Sequence, residues 1–283
     1  MQRESVDRRF ADEFSQSAGG SEVIVIHSAL WSFGHHFDGN IRQLPRRLIQ
    51  LMLDVIGPRR TLCFPAYTFS FCGSRVFDIA QTKSEVGALS EAARLWPGAV
   101  RTRQPVYSYA LIGPHAEMFR GLKAETAFGN FSAMEMFEHL NARQLMLGLR
   151  FQQAISIVHR AEEEARVPYR YFKRFAGPLL NSGKPEGLAE EVFYVRAWDV
   201  EPLFDYSSVA AQVRAMPSYL ASRPEEFNIE SAGTDDVLAV SRKALARDPY
   251  ALVSNSAAVE NWAASGKQSE MSRLRPDERW AKP

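Results

Sequence analysis

A histidine and a glutamate three residues apart form the strongest chemical signal in this sequence. His159 and Glu162 lie in the stretch 154–166, which is predicted to be one helix, and their spacing puts both side chains on one helix face. A carboxylate beside an imidazole raises its pKa and fixes its tautomer, which suits a general base near neutral pH. The spacing alone leaves a second interpretation open, because many helices carry such pairs on their surface.

A second group of polar residues directly follows a predicted buried strand. The β-branched run Val23–Ile26 predicts the strand, and His27 and Ser28 come next. In open α/β sheets, ligands bind at the carboxyl ends of strands. We therefore expect the Ser28 hydroxyl and backbone N–H groups of Ser28–Ser32, including Ala29, Leu30 and Ser32, to contact a phosphate or a pantetheine amide. A plain loop that caps the next helix is the alternative.

The remaining candidate groups are less specific. Arg101 and Thr102 belong to a short basic patch, which is either a solvated loop or a contact for an anionic ligand. Asp78 falls in a predicted loop, where a lone aspartate is usually a helix cap or a turn residue. The six histidines and two cysteines match no zinc-binding spacing, so we predict no metal. The sequence also contains no Walker A loop, no GxGxxG fingerprint and no GxSxG elbow.

The elements that would position these residues follow an α/β pattern. The first 65 residues are predicted to form a strand, a helix starting near Asn40 and a second strand at Thr61–Phe64, which is one βαβ unit. Later helices are predicted over 84–96, 132–140, 154–166, 207–216 and 235–247, and later strands over 107–112, 145–147 and 192–198.

Composition limits the class of protein. The chain has 283 residues, of which 46% are hydrophobic, and a net charge of +1, which argues against a broadly basic nucleic-acid binder. We find no membrane-spanning run and no secretory signal in the first twenty residues, and two cysteines suit a reducing, cytoplasmic setting. We predict a polar lead-in or a frayed helix over 1–20, one α/β domain over 21–265 with a smaller C-terminal cover or subdomain from about 178, and a charged tail over 266–283.

In order along the chain, several of these segments resemble the aminoglycoside 3-N-acetyltransferase family. The resemblance covers about half of the chain, from Val23 to Arg170. The matching segments are His27-Ser28-Ala29-Leu30, Phe77-Asp78, Gly87-Ala88-Leu89-Ser90-Glu91, Arg101-Thr102 and His159-Arg160-Ala161-Glu162. The sequence departs from the family pattern at Arg60, Ile79 and Gln104, where glycine, proline and histidine are usual.

This resemblance implies a three-layer α/β/α fold with a mixed central sheet, and an N-acyltransferase that uses acetyl-CoA. It implies that His159 deprotonates the attacking amine and that Glu162 orients His159. The CoA pantetheine would lie against the loop that contains Ser28–Leu30, with His27, Ser32, Arg101 and Thr102 as further cofactor contacts. Tyr67, Asp78, Glu91 and Arg170 would contact the acceptor, and a hydroxyl of Tyr67–Ser70 or a backbone N–H near Ala66 would bind the oxyanion.

We expect the acceptor to be a small-molecule amine, and the protein to be a monomer or a homodimer. Several basic residues lie near the predicted site loops, which favours a nucleotide-linked amino sugar as the acceptor; they are Arg101, Arg103, Arg170, Lys173 and Arg174. These residues would alternatively serve the phosphates of CoA, and the acceptor would then be an aminoglycoside. A non-catalytic CoA-binding sensor and an accidental similarity are the remaining alternatives.

Overall fold

The computed structural model describes residues 5–222 and 226–266. Within these residues a seven-stranded mixed sheet has the order β4-β5-β2-β1-β6-β10-β9. Its strands are β1 (Val23–Ser28), β2 (Thr61–Pro65), β4 (Val100–Arg101), β5 (Tyr109–Ile112), β6 (Arg143–Leu147), β9 (Leu220–Ala221) and β10 (Ile229–Gly233). A second sheet contains β3 (Phe77–Asp78), β7 (Arg170–Asn181) and β8 (Lys184–Arg196).

The centre of the large sheet is parallel and its flanks are antiparallel. Strand β1 pairs in parallel with β2 on one side and with β6 on the other. Strand β5 is antiparallel to β2, and β10 is antiparallel to β6. The helix α3 (Leu44–Ile56) connects β1 to β2, so the predicted βαβ unit is confirmed, and with it the mixed central sheet. The absence of this unit would have marked the family resemblance as accidental, and the unit is present.

Helices cover both faces of the sheet, which gives the predicted three layers. Alternate residues of β1 point in opposite directions, so Ile24 and Ile26 enter one core while Val23 and Val25 enter the other. The first core is covered by α1 (Val6–Ala18), α3 and α5 (Ala88–Arg94). The second is covered by α7 (Ala133–His139), α9 (Val158–Glu164), α10 (Ser207–Arg214), α11 (Thr234–Arg247) and α12 (Ser256–Ala264). The short helices are α2 (Leu30–Phe33), α4 (Phe71–Ser74), α6 (Glu117–Arg120) and α8 (Phe151–Ala154).

The N-terminal segment is part of the core, which corrects the prediction of a polar lead-in over residues 1–20. The Ser5 side chain caps α1 by accepting a hydrogen bond from the Arg8 N–H. Phe10 and Phe14, one turn apart on this helix, are fully buried. The amphipathic spacing of two aromatic residues in an otherwise polar stretch is the reason why this helix packs against the sheet.

The region beyond residue 178 also differs from a simple cover. Strand β10 enters the central sheet beside β6, and β7 pairs with β8 along almost its whole length. The β7–β8 hairpin begins at Arg170, and its strand β7 is not among the predicted strands. The predicted tail at 266–283 lies outside the described residues except for Gly266. No helix in the described part of the chain has the length and apolar composition needed to cross a bilayer.

Candidate active site

A cavity of about 530 Å³ opens beside α9 and the β7–β8 hairpin. Its size is typical of a site for a small molecule. The segment between α8 and α9 forms one wall, the hairpin forms another, and residues on the chain beyond the hairpin close a third. The lining residues are Phe69, Cys72, Tyr107, Gln153, Ala154, Ile155, Ser156, His159, Arg170, Phe193, Val195, Arg196, Trp198, Phe204 and Tyr206.

A break in the predicted helix 154–166 brings His159 to this cavity. The chain forms α8, leaves the helical path over residues 155–157, and begins α9 at Val158. His159 therefore lies in the first turn of α9, directly after a wall segment of the cavity. The i,i+3 spacing within α9 then places Glu162 beneath the imidazole, as the sequence predicts.

His159 and Glu162 form a close hydrogen-bonded pair. The distance from His159 Nδ1 to Glu162 Oε2 is 2.6 Å, and the Glu162 side chain is fully buried. An ionised carboxylate only accepts hydrogen bonds, so the imidazole proton is on Nδ1, which donates a hydrogen bond to Glu162. In the neutral imidazole the other nitrogen, Nε2, then has a free lone pair. This is the tautomer that a general base requires.

Two further groups hold the Glu162 carboxylate in its ionised form. The Arg170 guanidinium contacts Oε2 at 3.0 Å, and the Tyr169 hydroxyl donates to Oε1 at 3.0 Å. Burial alone would raise the pKa of Glu162, but the charge of Arg170 and the hydrogen bonds from His159 and Tyr169 lower it overall. Arg170 is itself buried, with its guanidinium 4.7 Å from the centre of the Phe204 ring.

The pKa of His159 moves in the opposite direction to the one expected from its carboxylate neighbour. Burial lowers the pKa of His159, and the charge of Arg170 lowers it further, so that the raising effect of Glu162 is outweighed. The Arg170 nitrogen Nη2 lies 3.2 Å from His159 Nδ1. The sequence shows Glu162 at helical spacing from His159, but the approach of Arg170 depends on the fold and cannot be predicted from spacing. The consequence is an imidazole that is neutral at pH 7 and ready to accept a proton.

The predicted CoA-binding loop lies at the expected edge of the sheet, but part of it is already committed. Ser28 pairs in register with Leu147, so the loops after β1 and β6 are neighbours, and the chain after β6 continues into the cavity wall. The Ala29 N–H donates to the Leu147 carbonyl, and the Ser32 hydroxyl donates to Gly148 O at 2.8 Å. His27 is buried, and burial lowers its pKa to about 4. The Ser28 hydroxyl and the loop at Leu30 thus stay proposed contacts.

Arg101 and Thr102, predicted as cofactor contacts, instead lie in the protein interior. The Arg101 guanidinium donates to the Ala66 carbonyl at 2.9 Å and to the Thr68 hydroxyl at 3.0 Å, and further donates to Ser108 and to carbonyls of the loop 79–82. Thr102 is fully buried, and its hydroxyl accepts the Tyr109 N–H at 2.9 Å. Their polar groups tie the loop after β2 to β4, so we assign both residues a structural role.

Asp78 and Glu91, predicted as acceptor contacts, are also used to fix loops. Asp78 accepts N–H groups of Ala80, Gln81, Ser182 and Gly183, which joins the tip of the β7–β8 hairpin to β3. Glu91 forms an ion pair with Arg94 at 2.7 Å and accepts the Ser84 N–H at 2.9 Å. Neither lines the cavity.

Tyr67 lies behind the cavity wall rather than in it. Its hydroxyl is 2.9 Å from that of Tyr109, and its ring packs 4.5 Å from Tyr107, which does line the cavity. Two of the other candidate oxyanion donors are committed. The Ala66 N–H donates to the Ser108 carbonyl at 2.8 Å, and the Thr68 hydroxyl donates to the Ala66 carbonyl at 3.5 Å.

The aromatic residues around His159 were missed by the sequence reasoning. The rings of Phe128, Tyr107 and Tyr206 lie 5.2, 6.4 and 6.4 Å from the imidazole. These three residues are far apart in the sequence, so no local pattern predicts that they pack around one histidine. The contact of Tyr169 with Glu162 had a signal in the sequence, because Tyr169 directly precedes the predicted site residue Arg170.

The sequence is similar to known proteins of one family. The sequence profile of the aminoglycoside 3-N-acetyltransferase family matches residues 25–227. Aminoglycoside N(3)-acetyltransferase IX of Micromonospora chalcea is 26% identical over 215 residues, which cover 66% of this chain and 70% of the relative. Aminoglycoside N(3)-acetyltransferase VII of Streptomyces paromomycinus is 25% identical over 217 residues, covering 69% and 71%.

Solved structures share the fold. AAC-IIIb in a binary complex with CoASH superposes with a TM-score of 0.70 at 20% identity, covering 85% of this chain and 96% of that one. The apoenzyme of the aminoglycoside acetyltransferase AAC(3)-IVa gives 0.69 at 20% identity, covering 92% and 98%. The profile match spans well over half of the sequence and includes both His159 and Glu162. The chain therefore belongs to the aminoglycoside 3-N-acetyltransferase family and is an acetyl-CoA-dependent N-acetyltransferase.

Proposed function

We propose that this protein transfers the acetyl group of acetyl-CoA to an amine of an amino sugar, with His159 as the general base. The observation that carries this proposal is the 2.6 Å contact between His159 Nδ1 and a buried, ionised Glu162 at the wall of a cavity. Acetyl-CoA supplies the acetyl group as an activated thioester. The mainly apolar wall beside Ser156 suits the pantetheine arm, and the loop at Ser28 and Leu30 is the proposed contact for its amides.

His159 performs the proton transfer in this proposal. Its Nε2 accepts a proton from the neutral amine as the amine nitrogen bonds to the thioester carbon, and the imidazole becomes positively charged. Glu162 stabilises that charge through the hydrogen bond that it accepts from Nδ1, and Arg170 keeps Glu162 ionised before the proton arrives. When the C–S bond breaks, the imidazolium returns the proton to the leaving thiolate, so CoA departs as the thiol and the pair returns to its starting state.

The named relatives favour an aminoglycoside over a nucleotide-linked amino sugar as the type of acceptor. The argument for the nucleotide-linked sugar rested on basic residues, and the structure uses most of them elsewhere. Arg101 is internal, while Arg103 and Arg174 form ion pairs with Glu186 and Glu190. Arg170 remains at the cavity, but it is the partner of Glu162.

Replacing His159 with alanine tests this proposal. We expect the rate of thiol release from acetyl-CoA with an amino sugar acceptor to fall by about 10²-fold or more, as for loss of a general base. His139→Ala is the matched control, because His139 is an exposed histidine on α7. Binding of CoA, measured by calorimetry, should be unchanged in both variants. Near-normal turnover by His159→Ala would remove the imidazole from the mechanism.

A further inference from the structure

Acetyl transfer to an amine requires hydrogen-bond donors for the oxyanion that forms on the way. When the amine bonds to the thioester carbon, the carbonyl oxygen becomes negatively charged, and acyl-transfer enzymes stabilise it with donors that are fixed in place beforehand. The candidate donors at Ala66 and Thr68 already have acceptors in the protein. Arg170 reaches the cavity, but it is paired with Glu162. The hydroxyl groups that lie beside His159 are therefore the next candidates.

The hydroxyl of Tyr206 is buried at the cavity with no acceptor for its proton in the described part of the chain. Tyr206 lines the cavity, and its ring centre lies 6.4 Å from that of His159. Within the described residues, its hydroxyl has no hydrogen-bond partner. The charge of Arg170 acts on this hydroxyl, but a guanidinium has only N–H donors and cannot accept the phenol proton. A bound molecule that supplies an acceptor oxygen would satisfy this buried group.

A second tyrosine hydroxyl lies in the same part of the cavity. The ring centre of Tyr107, which also lines the cavity, is 6.4 Å from that of His159. The hydroxyls of Tyr107 and Tyr206 interact electrostatically with each other, and each interacts with the guanidinium of Arg170. These interactions place the two hydroxyls near one another and beside the imidazole.

Packing and backbone hydrogen bonds hold both tyrosines in place. The ring of Tyr206 stacks on that of Phe204, with centres 5.9 Å apart and an angle of 16° between their planes. The N–H of Val106, the residue before Tyr107, donates to the buried carboxyl of Glu191 at 2.8 Å. Donors that are fixed in this way need no reorganisation when charge develops, which is the condition for strong electrostatic stabilisation.

The electrostatic surroundings favour a negative charge at this point. Burial raises the pKa of Tyr206 and that of Tyr107 well above the ordinary value for tyrosine, so both hydroxyls keep their protons and remain donors at neutral pH. Among the described lining residues, none is an aspartate or a glutamate, and Arg170 and Arg196 are positively charged. The cavity wall around the two hydroxyls therefore stabilises a developing anion.

We propose that the hydroxyls of Tyr206 and Tyr107 donate hydrogen bonds to the thioester oxygen as it becomes an oxyanion. As the amine nitrogen bonds to the carbonyl carbon, the electron pair of the C=O π bond moves to the oxygen and His159 takes the amine proton. When the C–S bond breaks, this pair forms the carbonyl of the amide, and the imidazolium protonates the leaving thiolate. Both tyrosines keep their protons throughout. The inference rests on the proposed function, and it leaves the wall beside Ser156 to the pantetheine arm.

Tyr206→Phe and Tyr107→Phe test the inference, because each variant removes one hydroxyl and keeps the ring. With acetyl-CoA and an aminoglycoside such as sisomicin, we expect kcat to fall by about 10²-fold in each variant, the usual loss for one oxyanion donor. The KM for each substrate should stay within about threefold of the parent value, since these hydrogen bonds reach full strength only in the transition state. A raised KM with a normal kcat would show that the tyrosine only shapes the cavity, and would remove it from the oxyanion site.

Two further tyrosines provide matched controls. The Tyr219 hydroxyl donates to Glu230 outside the cavity, so Tyr219→Phe should keep kcat within about twofold of the parent. The buried Tyr194 hydroxyl donates to the Val167 carbonyl at 2.8 Å, so Tyr194→Phe should lower the midpoint of urea unfolding. Tyr206→Phe should leave this midpoint unchanged or raise it, because it removes no hydrogen bond to a protein acceptor. An equal fall in the last two variants would show that Tyr206 has a protein acceptor and would contradict the inference.

The His159→Ala variant separates a failure of this inference from a failure of the proposed function. If His159→Ala is nearly inactive while Tyr206→Phe and Tyr107→Phe turn over normally, the general base stands and the assignment of the oxyanion donors is wrong. If His159→Ala itself keeps near-normal turnover, the proposed function fails, and the inference that rests on it fails as well.

Discussion

Two arginines in this molecule are equally buried and lie over similar rings, but they have different polar partners. Arg170 and Arg101 are each less than a tenth exposed, and each lies over a phenylalanine ring at 4.7 Å. Arg170 contacts the carboxylate of Glu162, whereas Arg101 donates to carbonyls and hydroxyls. Burial lowers the pKa of Arg101 to about 9, while the charge of Glu162 outweighs burial and raises the pKa of Arg170.

The difference lies in the partner charge and in access to a cavity. Arg170 contacts Glu162, and Glu162 contacts His159. A change at Arg170 therefore alters the pKa of the His159 imidazole. Arg101 donates only to neutral carbonyls and hydroxyls, none of which lines the cavity. Its hydrogen bonds therefore hold loops in place and do not reach His159. Burial of a charged residue, even within a family motif, therefore does not by itself mark a catalytic residue.

The largest effect is expected for Arg170→Ala. It leaves the Glu162 carboxylate buried without its cation, which should lower the free energy of unfolding by about 3–5 kcal/mol. It should also reduce kcat by about 10²-fold, because an unpaired Glu162 tends to be protonated and no longer orients His159. Urea denaturation and steady-state assays measure the two effects.

The double variant Arg170→Met with Glu162→Gln is the control for the arginine at the cavity. It removes both charges together, so we expect it to recover a large part of the stability and none of the activity. If Arg170→Ala lost stability but kept its kcat, the two arginines would be equivalent and the comparison would fail.

Arg101→Met should affect stability alone. Loss of the guanidinium leaves buried carbonyls and hydroxyls without donors, which should cost about 2–4 kcal/mol. The kcat of the folded fraction should stay within about twofold of the parent, since no partner of Arg101 lines the cavity. A drop in kcat as large as that of Arg170→Ala would return Arg101 to the active site.

Local geometry explains which part of the site the sequence could predict. The His159–Glu162 contact follows from helical spacing, and the strand-end loop at Ser28 follows from the buried run before it. The cavity walls depend on tertiary contacts, because Tyr107, Phe193 and Tyr206 are far apart in the chain. The same limit applies to Arg101, whose family motif predicts its presence but not whether its donors point outward or inward.

The β7–β8 hairpin shows the same limit at the level of the fold. Its first strand contains Arg170, Lys173 and Arg174, and these charges interrupt the alternation of apolar and polar residues that identifies a strand in a sequence. In the structure, Arg170 and Lys173 are buried beside aromatic rings, and Arg174 is exposed. The turn at residues 182–183 and the predicted strand 192–198 were signals of a hairpin partner. Pairing across this turn is a tertiary property that residue type alone does not specify.

The pH dependence of kcat gives the smallest effect and the finest test of the comparison. Because the pKa of His159 is lowered, the base is lost only as pH falls below about 6.5, the ordinary value for histidine, so kcat should be flat through neutral pH. The charge of Arg170 contributes to this lowering, so Arg170→Gln should move the acidic limb of the profile to higher pH. Arg101→Met should leave the limb in place, because Arg101 has no part in holding His159. The kcat of each variant, measured from pH 5 to 8 with a saturating acceptor, distinguishes the two arginines. An equal shift of the acidic limb in both variants would show that the arginines act on His159 only through the net charge of the protein.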